Sequence, residues 1–197
     1  MLHIKGFLTK HRKLVFFAML FVVVLPFTLT AITHNYGPYR GNVVDTETGV
    51  PIEGAAVYMV FSTKSPNPGG ATWRYAGAAE TLTDAHGEFE LTYRALVFHP
   101  FSLWEHLPIQ QVFKPGYGMF PKHKSTSITP EPDACCIPEE QYVTIRLPKL
   151  KTKEERITNL RHVDLWTNEV QYKKRKHITE LENKETADLG FKPAGAK

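Results

Sequence analysis

The chain has 197 residues, of which 42% are hydrophobic and 22% charged, and this balance excludes a largely disordered protein. Its formal net charge of +4 arises at the N-terminus, where Lys5, Lys10, Arg12 and Lys13 precede the first acidic residue, Asp45. Beyond residue 13, the remaining 20 basic residues are matched by 20 acidic ones. We therefore expect no nucleic-acid partner, because proteins that bind nucleic acids carry a basic surface.

A basic flank followed by an apolar run predicts that residues 1–35 direct export. Lys10–Lys13 precedes the apolar run Leu14–Leu25, and a milder apolar stretch continues after Pro26 to Ile32. A basic flank stays in the cytoplasm while the following chain crosses the membrane. The sequence leaves open whether the segment is a cleaved signal peptide or a membrane anchor formed by residues 14–32. The expected location is periplasmic or on the outer surface, with the inner membrane as the attachment site if the segment is retained.

The next part of the chain has the pattern of short strands separated by turns, which is typical of a β-sandwich. A strand is predicted at Tyr39–Asp45, followed by a reversal at Asp45–Pro51, where Gly49 tolerates a positive φ. Residues 55–63 alternate with a period of two and predict a strand with one face formed by Ala55, Val57, Met59 and Phe61.

Two further turns and four strands complete this pattern. Asp84–Gly87 fits a type I turn that joins a strand at Glu80–Thr83 to one at Glu88–Tyr93, where Phe89, Leu91 and Tyr93 share a face. A strand at Gln110–Lys114 ends in the turn residues Pro115 and Gly116. The last strand, Tyr142–Leu147, places Val143, Ile145 and Leu147 on one face.

These blocks together resemble the carboxypeptidase regulatory-like domain family, whose fold is similar to transthyretin (prealbumin). The resemblance rests on five motifs in order: Gly41-x-Val-x-Asp45, Thr48-Gly-x-Pro-Ile-x-Gly-Ala-x-Val57, Thr83-Asp-x-x-Gly-x-Phe-x-Leu91, Lys114-Pro-Gly-Tyr117 and Val143-x-Ile-x-Leu147. It implies a mainly β, seven-stranded Greek-key sandwich over residues 36–149. The family's motif residues are structural, so the resemblance implies no catalytic residue and no enzyme activity.

Three segments depart from a compact version of that domain and are expected to be long loops, the places where function is often found. They are residues 64–79, 94–108 and 122–140. The first two contain aromatic and histidine side chains that are candidates for binding a glycan, a metal or a protein partner. These candidate binding residues are Trp73, Tyr75, His99, Trp104 and His106.

The candidate metal ligands have a weaker pattern. His99, Glu105 and His106 lie in one loop and His86 and His123 in others, without the tight spacing of a zinc site, so we expect no metal and no cofactor. His177-x-x-Glu180 matches the two-ligand motif of metallocarboxypeptidases, but a catalytic site needs a third ligand in a preformed cleft. We interpret this match as coincidental. Cys135 and Cys136 are adjacent and cannot connect distant parts of a fold.

Residues 150–197 predict a charged, partly helical tail. Apolar residues at helical spacing mark an amphipathic helix within 151–172, and a weaker helical stretch surrounds Ile178 and Leu181. The apolar positions of the first are Ile157, Leu160, Val163, Trp166 and Val170. Residues 33–148 carry a net charge of −4 and residues 149–197 a net charge of +4. The apolar face of the first helix is expected to pack either on the sandwich or on a partner protein, and the opposite charges favour the sandwich.

The function predicted from the sequence is that of a non-catalytic, exported β-sandwich module in envelope assembly, adhesion or support of a complex. Its expected partner is another protein of the cell envelope. The alternative is a ligand-binding protein that recognises a glycan or a metal through residues 64–79 and 94–108. An exposed concave platform of Trp73, Tyr75 and Trp104 would favour this alternative, whereas packing of these residues into the protein would favour the structural role.

Overall fold

The computed structural model describes residues 13–14, 16–22, 33–97, 102–130, 136–163 and 175–192. This part of the chain is mainly β, with two sheets followed by two helices. The strands are β1 (Thr33–Asp45), β2 (Ala56–Asn67), β3 (Gly70–Leu82), β4 (Glu88–Leu96), β5 (Leu103–Trp104), β6 (Ile109–Phe113), β7 (Ser127–Thr129) and β8 (Tyr142–Leu147). The helices of the tail are α1 (Lys153–Val163) and α2 (Lys176–Asp188).

The two sheets form a β-sandwich, as the sequence predicts. The first sheet has the strand order β4-β1-β8-β7, in which β1 is antiparallel to β4 and parallel to β8. In the second sheet β2 is central, with β3 on one side and β5 and β6 on the other. The described residues thus contain eight strands, counting the two-residue β5, where the sequence predicted seven.

The core between the sheets contains the side chains that period-two alternation predicted to share a face. Three strands contribute most of them, and every one of these residues is at most 5% exposed. They are Ala55, Val57, Met59 and Phe61 from β2 and the residue before it, Phe89 and Leu91 from β4, and Val143, Ile145 and Leu147 from β8. The predicted inward faces of these strands are therefore confirmed.

The predicted turns are confirmed, and those at Asp45 and Asp84 are each stabilised by the aspartate at their start. The Oδ1 atom of Asp45 accepts hydrogen bonds from the backbone N–H groups of Glu47 and Thr48, at 2.8 and 2.9 Å. Asp84 does the same in the second turn. The hydrogen bonds to Asp45 hold the pKa of its carboxyl below the usual value, and the bond from the Thr48 N–H group has the largest effect.

The segment 64–79 is not the loop that the sequence predicted. It forms most of a β2–β3 hairpin, whose pairing extends from Ala56↔Leu82 to Asn67↔Gly70. Only residues 67–70 form the turn, where the Oδ1 atom of Asn67 accepts a hydrogen bond from the Gly69 N–H at 2.9 Å. Pro and Gly had suggested a loop, but they lie near the tip, and the flanking Thr72, Trp73 and Tyr75 favour strands. Within 94–108, β4 continues to Leu96 and β5 occupies Leu103–Trp104.

Strand β1 begins at Thr33, three residues before the predicted start of the domain and six before the predicted strand. Its pairing with β4 is shifted between Tyr36 and Tyr39, which marks a β-bulge. Because of this irregularity Tyr36 and Tyr39 both point into the core, at 1% and 0% exposure, although they are three residues apart. Simple alternation would have placed them on opposite faces.

The tail helices are held by caps that come from different parts of the chain. At the start of α1, Thr152 and Glu155 form a capping box: each side chain accepts a hydrogen bond from the other's backbone N–H, at 3.1 and 3.2 Å. At the start of α2, the carboxylate of Glu80 on β3 accepts hydrogen bonds from the N–H groups of His177 and Ile178, at 2.9 and 3.3 Å. An acid at this position also complements the helix dipole.

The tail packs on the outer face of the second sheet, as expected. Most of this contact is made by α2, although its sequence has a weaker amphipathic pattern than that of α1. Ile178 of α2 is fully buried in a second apolar cluster, together with Ala56, Tyr58, Val60, Ala78, Phe113 and Met119. From α1, Leu160 contacts this cluster, and Asn159 bonds the backbone of Met119 and Tyr117. Trp166 and Val170 lie outside the described residues.

Residues 13–14 and 16–22 of the N-terminal segment are helical. Their apolar side chains are exposed, as shown by Phe16 at 64%, Phe21 at 63% and Val22 at 70%. Within the described residues, no helix is both long and apolar enough to cross a membrane.

Candidate functional site

One end of the sandwich concentrates aromatic and histidine side chains. We call it the Thr33 end and define it as the start of β1, the end of β4, strand β5 and the hairpin around Lys64 and Trp73. His34 stacks on Trp104 at a centroid distance of 5.2 Å and meets Tyr36 edge-on at 4.4 Å. Tyr36 stacks on Phe61 at 4.3 Å, and Phe61 stacks on Tyr93 at 4.9 Å. These five residues form a continuous aromatic cluster that closes the core.

The elements that place these rings explain why they meet. The bulge in β1 turns Tyr36 inward, and His34, two residues earlier, follows on the same side. Strand β5 pairs with β2 so that Trp104 lies opposite Thr63, next to this cluster. Since Thr63 and Phe61 are two residues apart on β2, Trp104 projects toward the interior.

A glutamate from the loop before β8 lies beside this cluster. The Oη atom of Tyr39 donates a hydrogen bond to the Oε1 atom of Glu139 at 2.8 Å, and the Gly37 N–H donates to the same oxygen at 3.3 Å. Burial raises the pKa of Tyr39 above its usual value, and the hydrogen bond to Glu139 adds to this effect. Burial also raises the pKa of Tyr36. Both phenols therefore stay protonated at neutral pH and act as hydrogen-bond donors.

His34 is the titratable group at the centre of the Thr33 end. Burial lowers the pKa of its imidazole below 6.5; the neighbouring His106 lowers it further, while the Glu139 carboxylate opposes the shift. The neutral form is thus favoured at pH 7. The Nε2 atom of His34 and the Nε1 atom of Trp104 are buried without a hydrogen-bond partner among the residues that the structure describes.

On the outer face of the second sheet, β2, β3 and β5 carry a group of three side chains at the Thr33 end. Lys64 pairs with Trp73 on one side and with Leu103 on the other, which places the three side chains next to one another on the outer face of the second sheet. The Lys64 Nζ atom lies 5.3 Å from the centroid of the Trp73 ring, within cation–π range. The Nε1–H group of Trp73 donates a hydrogen bond to Glu105 at 3.2 Å.

The predicted binding residues do not form one platform. Trp73 is 58% exposed on the outer face, Trp104 is half-buried on the inner face, and Tyr75 packs against the second apolar cluster next to α2. His106 is exposed, with its ring 6.1 Å from that of His34. His99 lies outside the described residues.

The candidate metal ligands also remain apart. His86 lies in the Asp84–Gly87 turn at the opposite end of the sandwich from His106, and His123 lines a cleft of about 410 Å³ beside α1. The side chains of His177 and Glu180 are 3.9 Å apart on the surface of α2. In the part of the chain that the structure describes, no three His, Cys, Asp or Glu side chains converge as metal ligands would.

Sequence reasoning missed His34 and Glu139. His34 fell within the segment assigned to export, and its inward direction depends on the irregularity in β1, which alternation does not reveal. Glu139 lay in a predicted loop, and its contact with Tyr39 spans 100 residues. The available signal was the pair Gly37-Pro38 inside an aromatic strand, because Gly and Pro within a strand often mark a bulge.

No protein-family model matches the chain, and neither a curated protein nor a solved structure matches it.

Proposed function

We propose that the protein is a non-catalytic, exported β-sandwich module that stays attached to a membrane and supports an assembly of the cell envelope. The observation that carries this proposal is that aromatic side chains at the Thr33 end donate hydrogen bonds to acceptors within the protein. Tyr36 donates to the Ser62 carbonyl, Tyr39 to Glu139 and Trp73 to Glu105. Groups used in this way fix aromatic rings in place, as expected of a rigid interaction module.

We also propose that the domain is a seven-stranded Greek-key sandwich of the carboxypeptidase regulatory-like type. Two motif glycines support this proposal. A Cβ atom on Gly41 would lie 2.2 Å from the Val143 carbonyl oxygen, and one on Gly87 would lie 2.5 Å from the Val43 carbonyl oxygen. Any larger residue would push the backbones of neighbouring strands apart. The role of these motif residues is therefore the close approach of strands, consistent with a module without a catalytic site.

Attachment to the membrane is proposed through residues 14–32. The exposed apolar side chains of residues 16–22 support it, since an uninterrupted row of them is unfavourable in water. If this segment is retained, the sandwich lies on the outer side of the inner membrane. We propose that its partners there are other proteins of the envelope.

Fractionation of cells that produce the full chain tests this proposal. The protein should remain in the membrane pellet after alkaline carbonate extraction, and an enzyme that is active only outside the cytoplasm should be active when fused after Lys149. Replacing Leu20 and Val22 with Arg should release the chain, because arginine in a bilayer core is unfavourable by about 2.5–3.5 kcal/mol. Recovery of the unaltered chain in the cytosol, with an inactive fusion, would contradict the proposal.

The alternative, recognition of a glycan or a metal through residues 64–79 and 94–108, has one observation in its favour. The Nε2 atom of His34 and the Nε1 atom of Trp104 are buried and have no partner in the described residues, so they offer polar contacts that a ligand would satisfy. Thermal unfolding of the purified chain with zinc or with soluble envelope glycans checks this alternative. It predicts a rise in midpoint temperature that is lost in His34→Phe.

A further inference from the structure

Large apolar side chains are exposed around the Thr33 end on both sheets. Trp73 is 58% exposed and Leu103 is 64% exposed on the second sheet, where both lie beside Lys64. On the first sheet Leu96, at 59% exposure, is paired with Thr33. Single exposed hydrophobic residues need no explanation, but several around one end indicate a surface that contacts something apolar.

The sequence leaves no spacer between the apolar N-terminal segment and this end. Ile32 is the last residue of the segment, and Thr33 is the first residue of β1. If residues 14–32 lie in a bilayer, the start of β1 is therefore at its surface, and the residues around Thr33 are held there with it.

The side chains at the Thr33 end also suit the headgroup region of a bilayer. Trp is enriched at membrane interfaces because its ring is apolar while its N–H group is polar, and the Trp73 N–H group is directed to Glu105. Basic residues alternate with the apolar ones: Lys64 contacts the Trp73 ring, Arg74 follows Trp73, and Arg94 precedes Leu96 by two residues. Such cations attract lipid phosphates.

We propose that the Thr33 end rests directly on the surface of a lipid bilayer, with Trp73, Leu96 and Leu103 in the headgroup region. This inference rests on the proposed attachment through residues 14–32. It goes further by assigning an orientation: β1 runs away from the membrane, and its Asp45 end, roughly 40 Å away for a strand of this length, faces the envelope partners.

The test uses the full chain in vesicles of phosphatidylethanolamine and phosphatidylglycerol, with Cys135 and Cys136 replaced by Ser. An environment-sensitive fluorophore is attached to a single cysteine introduced as Leu103→Cys or, in a second variant, Leu96→Cys. The matched control is Val50→Cys, because Val50 is 58% exposed and follows the turn at the Asp45 end. All three positions are on the surface, and circular dichroism checks that each variant folds.

The proposal expects that all variants float with the vesicles and that lipids with a spin label near the headgroup quench the fluorophores at positions 96 and 103 but not at position 50. If the chains float and neither position 96 nor 103 is quenched, the inference is wrong while the attachment stands. If emission at position 103 is shifted to shorter wavelength without quenching by lipid, a protein covers this end and the inference is also wrong. Chains that do not float overturn the attachment and the inference together.

Discussion

The two outer faces of the sandwich are built from strands of similar length but have opposite character. The face of the first sheet is polar and is not covered by the tail residues that the structure describes (150–163 and 175–192). Arg40, Glu88, Glu90 and Tyr142 are exposed there. On the second sheet, Ala56, Tyr58 and Val60 of β2 are buried beneath α2. Both faces of β2 are thus apolar, since its alternate residues form the central core. A strand that is apolar on both faces requires a third layer, and the tail provides it.

Each of the two regions has an arginine–glutamate ion pair. On the open face, Arg40 and Glu90 are 3.4 Å apart, with side chains 52% and 60% exposed. In the tail that covers the other face, Arg156 of α1 forms two hydrogen bonds to Glu185 of α2, at 2.7 and 2.6 Å. The Arg156 side chain is 26% exposed, whereas the Glu185 side chain is 1% exposed. Water screens both charges of the first pair but does not reach the Glu185 carboxylate, so the consequences of breaking the two pairs should differ.

The largest expected effect is from Arg156→Met. This change leaves the Glu185 carboxylate buried without its partner, and we expect a loss of about 3–5 kcal/mol in the free energy of unfolding. The matched change Arg40→Met should cost less than about 1 kcal/mol, because an exposed pair contributes little. Urea unfolding measures both. Equal losses in the two variants would show that the Glu185 carboxylate is not shielded from water.

Ile178→Ala tests the apolar part of the same contact. Ile178 is fully buried against β2, and its truncation should destabilise the protein by about 2–5 kcal/mol. Hydrogen exchange in residues 176–188 should increase, since α2 loses its main apolar contact. Val50→Ala, at an exposed position of the turn, is the control and should change stability by less than about 0.5 kcal/mol. Unchanged exchange in α2 would reject docking through Ile178.

Glu80→Gln tests the cap that β3 provides for α2. The amide still accepts a hydrogen bond but loses the charge that complements the helix dipole, so we expect a loss of about 0.5–1 kcal/mol. The control is Glu90→Gln on the open face, where the expected change is near zero. High salt should reduce the difference between the two variants, because it screens the interaction with the dipole. A loss that does not depend on salt would point to another cause.

The sequence predicts features that depend on near neighbours. Period-two alternation in residues 55–61 predicts the inward face of β2, and Asp45 and Asp84 predict turns, because their side chains bond backbone groups only two to four residues away. Helical spacing predicts α1 and, more weakly, α2. These features are local, and the physical chemistry of each segment determines them.

Other features depend on distant partners, and the sequence could not show them. The covered face of β2 has its partner in Ile178, and α2 is capped by Glu80, 97 residues before His177. At the Thr33 end, a bulge and a distant Glu139 determine where Tyr36 and Tyr39 point. The hairpin at 64–79 was missed for a related reason, since each of its strands is stabilised by pairing with the other.

The smallest expected effect is a gain in stability, from removing one hydroxyl group under the covered face, and the matched change on the open face should cause a small loss. Tyr58 lies under α2, and the Arg175 guanidinium stacks over its ring at 5.6 Å. Its Oη atom is buried and has no hydrogen-bond partner within the described part of the chain. Tyr142, on the open face, is exposed and donates a hydrogen bond to Glu88 at 3.1 Å. Removing an unsatisfied buried hydroxyl relieves a desolvation cost while keeping the ring. Tyr58→Phe should therefore leave stability at pH 7 unchanged or raise it by up to about 1 kcal/mol, whereas Tyr142→Phe should lower it slightly.

The stability of the two tyrosine variants should also differ in its dependence on pH. Burial raises the pKa of Tyr58, although the Arg175 charge opposes this shift. Since the folded protein disfavours the phenolate, the contribution of Tyr58 to stability is complete below the unfolded pKa of about 10 and is lost as the pH rises above it. Tyr58→Phe should consequently resist alkaline unfolding better than the unaltered chain does. Urea unfolding at pH 7 and pH 11 measures both variants, and a Tyr58→Phe chain that is less stable at pH 7 and equally sensitive to alkali would mean that this hydroxyl has a partner and that α2 does not seal the face.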